Sequence, residues 1–118
     1  MKDNSLKDRT KTFALRVLRL IDALPRNRKG LIIADQIGRA GTAVGANYRA
    51  ACRARSRAEF IAKIGVVEEE ADESAFWCEL IVDGAILPAA KLKALHDEAI
   101  ELTAIMASSR ITASGNRH

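Results

Sequence analysis

At 118 residues, 48% hydrophobic and 29% charged, the chain can bury one core but has little room for a second domain. Only 4% is aromatic, and glycine and proline number seven and two. That argues against a turn-rich all-β fold and points to helices packed through Leu, Ile, Val and Ala.

No stretch reaches the roughly 18 uncharged apolar residues that cross a bilayer. Met1-Lys2-Asp3-Asn4-Ser5 leads into a charged segment, not an apolar signal region. A cytoplasmic location and no membrane partner are expected. Cys52 and Cys78 would lie about 28 Å apart along neighbouring antiparallel helices, too far for a disulfide, so both are expected as reduced thiols.

The first helix is predicted over about 6–24. Leu6, Thr10, Phe13, Val17, Leu20 and Leu24 recur at alternating spacings of four and three, with Leu15, Leu18 and Ile21 widening the stripe. Pro25 stops it. The second is predicted over about 29–54, with Asn27 as N-cap and a seam of Ile33, Ile37, Ala40, Val44, Asn47 and Ala51. Gly38, Gly41 and Gly45 lie inside it. Each weakens a helix by up to about 1 kcal/mol relative to alanine, so either another backbone comes close on that side or the helix is weakened or kinked. Asn47 on the seam must find a hydrogen-bond partner, across the bundle or on adjacent backbone, unless it is a surface amide.

Ser56-Arg57-Ala58-Glu59 is a capping box that opens the third helix, predicted over 57–83. Its seam is Phe60, Ile64, Val67, Ala71, Ser74, Cys78 and Ile81, and Gly84 can supply a left-handed cap. Pro88 opens a fourth helix over about 88–107, with Leu92, Leu95, Ala99, Leu102 and Met106 inward. Residues 109–118 read as a flexible tail. Short connections make consecutive helices antiparallel neighbours, so residues 1–108 are expected to form an all-α, up-down-up-down four-helix bundle.

Charge is segregated along this frame. Residues 1–30 carry net +6, 31–67 net +4, 68–83 net −7 and 84–118 net +1. Candidate phosphate contacts are Arg16, Arg19, Arg26, Arg28 and Lys29 on the first helix and its turn, and Arg49, Arg53, Arg55 and Arg57 at the second corner. The same pattern also suits an ordinary solvated surface. The acidic run of Glu68, Glu69, Glu70, Asp72 and Glu73 is either a solvated face or a partner for the basic face of a second subunit. There is no Glu-x-x-His motif and no zinc spacing of Cys and His. No catalytic residue, metal or cofactor is expected.

Residues Gln36 to Leu80 resemble a bacterial family known as four-helix bundle proteins. It includes proteins encoded within ribosomal RNA intervening sequences and, more distantly, accessory proteins of diversity-generating retroelements. The matching residues are Gln36-Ile37, Arg39-Ala40, Val44 and Asn47, then Arg53, Arg55-Ser56, Glu59-Phe60 and Lys63. Phe13-Ala14-Leu15 and Leu24-Pro25 extend the likeness over roughly residues 6–107. Where that family commonly has Glu-Gly, this chain has Ala50-Ala51. The resemblance implies an antiparallel bundle assembled in rings of five and associated with RNA or an RNA-bound protein. Two functions are therefore expected to compete: an oligomeric, non-enzymatic RNA-binding scaffold, and a protein–protein adaptor with no nucleic-acid role.

Overall fold

The computed structural model describes residues 5–115, which form four helices: α1 Ser5–Ala23, α2 Arg28–Cys52, α3 Arg57–Asp83 and α4 Ala89–Ser114. The connections are four, four and five residues long, so each helix runs antiparallel to the one before it. α1 packs on α2, α2 on α3 and α3 on α4, while α4 closes back onto α1 only sparsely. The bundle measures 49 × 25 × 24 Å between its Cα extremes.

The predicted seams form the core. Phe13, Val17, Ile37, Val44, Ile64, Val67, Leu102 and Met106 are fully buried. The expected widening of the α1 stripe fails at two of its three residues: Leu15 and Leu18 are exposed, and only Ile21 packs against the core. Two hydroxyls sit inside the seam and are satisfied by their own helices. Thr10 Oγ1 donates to the Leu6 carbonyl at 2.8 Å, and Ser74 Oγ to the Glu70 carbonyl at 2.9 Å. Asn47 is half-buried and donates from Nδ2 to the Ala43 carbonyl at 3.0 Å. Its partner is the adjacent backbone of its own helix, not a group across the bundle.

Three of the four glycines of α2, Gly38, Gly41 and Gly45, answer to α1 of the same chain. A Cβ on Gly41 would lie 2.6 Å from a Val17 Cγ, one on Gly38 3.0 Å from Ile21 Cδ1, and one on Gly45 3.2 Å from the Thr10 carbonyl oxygen. They let two helix backbones approach, and α2 runs unbroken through all three.

The helix ends follow local chemistry. Asn27 accepts from the Gly30 N–H at 2.9 Å, and Ser56 Oγ from the Glu59 N–H at 3.0 Å. Glu59 reaches back to the Arg55 N–H at 3.1 Å, one residue earlier than in the usual box. At the end of α3 the left-handed residue is Ala85, with φ 57°, while Gly84 has φ −83°. The Ile86 N–H bonds to the Ile81 carbonyl at 2.9 Å and the Ala85 N–H to the Val82 carbonyl at 3.0 Å. This Schellman closure places its strained position one residue past the glycine.

The largest correction concerns the C-terminus. α4 runs on to Ser114 and is capped by Gly115 at φ 77°, so residues 109–114 are helix and not tail. The continuation has a physical reason: Arg110 pairs with Glu68 of α3 at 2.7 Å, and the first turns of α3 need cover along their length. Residues 116–118 lie outside the described residues.

Gly41 and Gly65 should respond oppositely to alanine. Gly41→Ala drives a methyl into buried, stiff Val17, and should cost about 1–3 kcal/mol by overpacking. A Cβ on Gly65 meets nothing nearer than Arg110 Cδ at 3.9 Å, so Gly65→Ala should stabilise by about 1 kcal/mol through helix propensity. Urea midpoints of the two variants check the pair.

Candidate nucleic-acid interface

α2 ends where Arg53 turns out of the helix, its N–H bonded back to the carbonyls of Ala50 and Ala51. Three residues on, Ser56 starts α3. This tight corner holds Arg49, Arg53, Arg55 and Lys63 around a cavity of about 380 Å³ that Ala46, Ala50 and Glu59 also line. Because α1 runs antiparallel to α2, the first turns of α1 lie beside the last turns of α2. Lys7 and Lys11 there border a second cavity of about 350 Å³, with Asp8, Ala14, Thr42, Gly45, Ala46 and Arg49. Ala46 and Arg49, both on the exposed face of α2, line both cavities, so the two adjoin across that helix.

The nine candidate cations of the sequence do not form one site. Arg49, Arg53 and Arg55 share the corner. Arg57 leans toward the end of α4, its Nη1 donating to the Ala113 carbonyl at 3.5 Å. Arg16 and Arg19 border a separate cavity of about 280 Å³ with Lys91, in the α1–α4 seam. Arg26, Arg28 and Lys29 sit in and after the α1–α2 turn, at the opposite end of the long axis from the corner. Lys7, Lys11 and Lys63 were missing from the sequence-based set. Lys63 lay within the matching motif, and Lys7 and Lys11 are one turn apart on a helix antiparallel to α2. The signal was present once helix direction was used.

Ion pairing decides which charges remain open. Arg9 grips Glu98 at 2.8 Å and Glu101 at 2.7 Å, which raises its pKa, chiefly through the Glu98 hydrogen bond. Arg39 holds Glu73 at 2.7 Å and Glu70 at 3.6 Å. Arg110 holds Glu68, whose hydrogen bond raises the arginine's pKa. At these two cavities only Arg55 has a carboxylate within reach, Glu59 at 3.8 Å, and the Arg55 side chain is 91% exposed. Among the described residues, Lys7, Lys11, Arg49, Arg53 and Lys63 have no ion-pair partner.

The acidic run is largely engaged inside the chain. Glu68, Glu70 and Glu73 face Arg110 and Arg39, Glu73 also accepts from Trp77 Nε1 at 3.1 Å, and Glu79 meets His96 at 2.8 Å. Glu69 and Asp72 point to solvent. Reactive chemistry is not favoured at the thiol or phenol. Burial, then Glu79, pushes the Cys78 thiol up to about 12, and burial, then Cys52, pushes Tyr48 up to about 12. Both cysteines are free. Among the described residues no three His, Cys, Asp or Glu side chains gather as a metal would require, and no helix is long and apolar enough to cross a membrane.

The family model of the 23S rRNA-intervening sequence protein matches residues 2–108. The chain belongs to this family. A crystal structure of a protein of unknown function from the S23 ribosomal protein family, from Bacteroides thetaiotaomicron VPI-5482, shares the fold with a TM-score of 0.83. It is 31% identical to this chain, and the match covers 89% of this chain and 97% of that one. No curated protein matches. Family membership accords with the four-helix architecture and with the resemblance carried by Gln36 to Lys63.

Glu70 offers a pH test of the α2–α3 contact. Its Oε1 is buried without a hydrogen bond, and burial, then Glu73, raises its pKa above the ordinary 4.5 against the pull of Arg39. For this acid the folded state favours the proton. Its contribution to stability is greatest below 4.5 and is lost as pH rises through the higher folded value. Glu70→Gln should therefore raise the urea midpoint at neutral pH, with the gain fading below pH 4.5. A lower midpoint at neutral pH would show that the Arg39 pair outweighs burial.

Proposed function

We propose that the protein is a non-enzymatic, oligomeric RNA-binding protein, and that RNA phosphates dock at the α2–α3 corner. The observation that carries this reading is the set of cations gathered there. Arg49, Arg53, Arg55 and Lys63 surround one cavity with a single carboxylate, Glu59, which lies 3.8 Å from Arg55. Elsewhere the chain pairs Arg9, Arg39 and Arg110 with its own acids. Arginine forks suit phosphate oxygens, and such contacts draw strength from counterion release. Family membership adds a context of ribosomal RNA to the electrostatic one.

Self-association is part of the proposal, with the ring of five implied by the resemblance as the expected form. The glycine side of α2 is filled by α1, and much of the acidic run is paired internally. What supports assembly is apolar surface left open: Leu15 and Leu18 on α1, Leu31 and Ile32 on α2, and Phe76 and Leu80 on α3. Leu15 with Leu18 and Phe76 with Leu80 are neighbours on their helices at spacings of three and four, and apolar side chains that adjoin on a surface mark contact sites. A cytoplasmic setting suits such a protein.

Affinity for RNA should fall by about 50-fold between 50 and 200 mM salt if four phosphates are contacted. Reversing Arg53 and Arg55 to Glu should weaken binding by about tenfold or more at low salt while leaving helicity intact. Equal affinity for wild type and variant would remove the corner from the site. No binding at either salt would favour the protein–protein adaptor. Light scattering should give a multiple of the 12.8 kDa chain mass across micromolar concentrations. A monomer mass throughout would end the oligomer proposal.

A further inference from the structure

We infer that the two adjoining basic cavities form a track for one RNA strand, running along the α1–α2 seam and around the α2–α3 corner, and that paired RNA fits it less well. This rests on the RNA-binding reading above and gives that site a length, a direction and a preferred form of RNA.

The first argument is adjacency. Ala46 and Arg49 line both cavities, so cations from three helices border a path that crosses the exposed face of α2: Lys7 and Lys11 on α1, Arg49 on α2 with Arg53 and Arg55 in the turn, and Lys63 on α3. From Thr42 to Arg53 the path follows α2 for about 16 Å, enough for a few nucleotides. The second argument is width. Packed helices stand about 8–10 Å apart, and here the seam is tightened at Gly45, where α1 backbone lies against α2. Ala14, Thr42, Gly45, Ala46 and Ala50 leave the floor low between basic edges. Such a channel seats one phosphate row. An A-form duplex offers two rows across a wide, shallow groove, and its recognition needs an element that spans them. Among the described residues no helix projects from the bundle to do so.

The third argument is chemical. Small apolar groups on the floor can lie against sugars and base faces without reading base edges. Tyr48 packs against the core, so the track has no aromatic platform, and stacking falls to the arginine planes. Binding should then be tolerant of sequence and strongly dependent on salt. Two side chains run against the pattern: Glu59 puts a carboxylate beside Arg55 at the corner, and Asp8 puts one among the cations of α1. On this path Asp8 repels a passing phosphate, so removing its charge should strengthen binding.

The test uses the full chain and fluorescence anisotropy with an unstructured RNA of about 20 nucleotides, alone and annealed to its complement. The single strand should bind at least about tenfold more tightly than the duplex. Lys7→Ala with Lys11→Ala should lower the slope of log affinity against log salt by about 1.4, the value for two lost single-strand contacts. Ala46→Glu, at the exposed junction of the two cavities, should weaken single-strand binding by about tenfold, and Asp8→Asn should strengthen it. Circular dichroism checks folding. If Ala46→Glu disturbs it, the exposed lysine pair carries the test alone. Duplex binding as tight as single-strand binding overturns the track. So does single-strand binding that survives the lysine and Ala46 changes yet is lost on reversing Arg53 and Arg55; RNA binding at the corner would then stand without the track. Failure of both RNAs to bind at low salt overturns the RNA-binding reading and the track with it.

Discussion

The surface of this bundle depends on how closely α1 can approach α2. Gly38, Gly41 and Gly45 remove three side chains from one flank of α2, and Val17, Ile21 and the Thr10 backbone occupy the space. Each glycine weakens the isolated helix by up to about 1 kcal/mol, so α2 relies on α1 to be a good helix. The same contact fixes the register of the pair. With Thr10 against Gly45 and Val17 against Gly41, Lys7 and Lys11 fall beside Arg49. A bulkier seam would push the α1 lysines away from the α2 arginines. Packing in the core thus sets the spacing of charge outside it.

Ion pairs then sort the surface. Arg9 joins α1 to α4 where those helices otherwise meet sparsely, and its contacts with Glu98 and Glu101 help close the ring of helices. Arg39 ties α2 to α3 through Glu70 and Glu73, and Arg110 ties α4 to α3 through Glu68. Exposed pairs of this kind contribute roughly 0–1 kcal/mol each. Their larger effect is on what remains. They take up arginines on the sides of the bundle and leave the cations of the α2–α3 corner almost without internal partners. The chain is only modestly basic in total, yet its open positive charge is concentrated.

The fold was legible because the apolar spacing of each helix is regular and its caps are local. Asn27 and Ser56 act as their sequence context requires, and the seams through Phe13, Val44, Ile64 and Leu102 are the core. Two features escaped, for different reasons. Residues after Ser108 look like a fraying end by composition, and contacts across to α3, Arg110 with Glu68 and the Ala113 carbonyl with Arg57, explain the added turns. Leu15 and Leu18 look like core by type, but their angular position turns them outward. The candidate site was half legible. The sequence put its candidate cations in two groups, and the one that holds Arg26, Arg28 and Lys29 lies at the other end of the bundle from the α2–α3 corner. The grouping also missed Lys7 and Lys11, which only antiparallel packing brings to Arg49.

Absence of aromatic rings at the two cavities connects the RNA track to self-association. Stacking gives single-strand binders about 1–3 kcal/mol per base, and a track without it depends on phosphate contacts that salt weakens. Six cations on one subunit are a modest foothold under those conditions. Repeating the track around a homo-oligomer would change the balance without any new contact, because binding at one subunit raises the effective concentration of RNA at the next. The exposed leucines and isoleucines and the open cations would then serve one purpose. Apolar surface would set how many tracks face the strand, and the glycine-tightened seam would set the geometry of each.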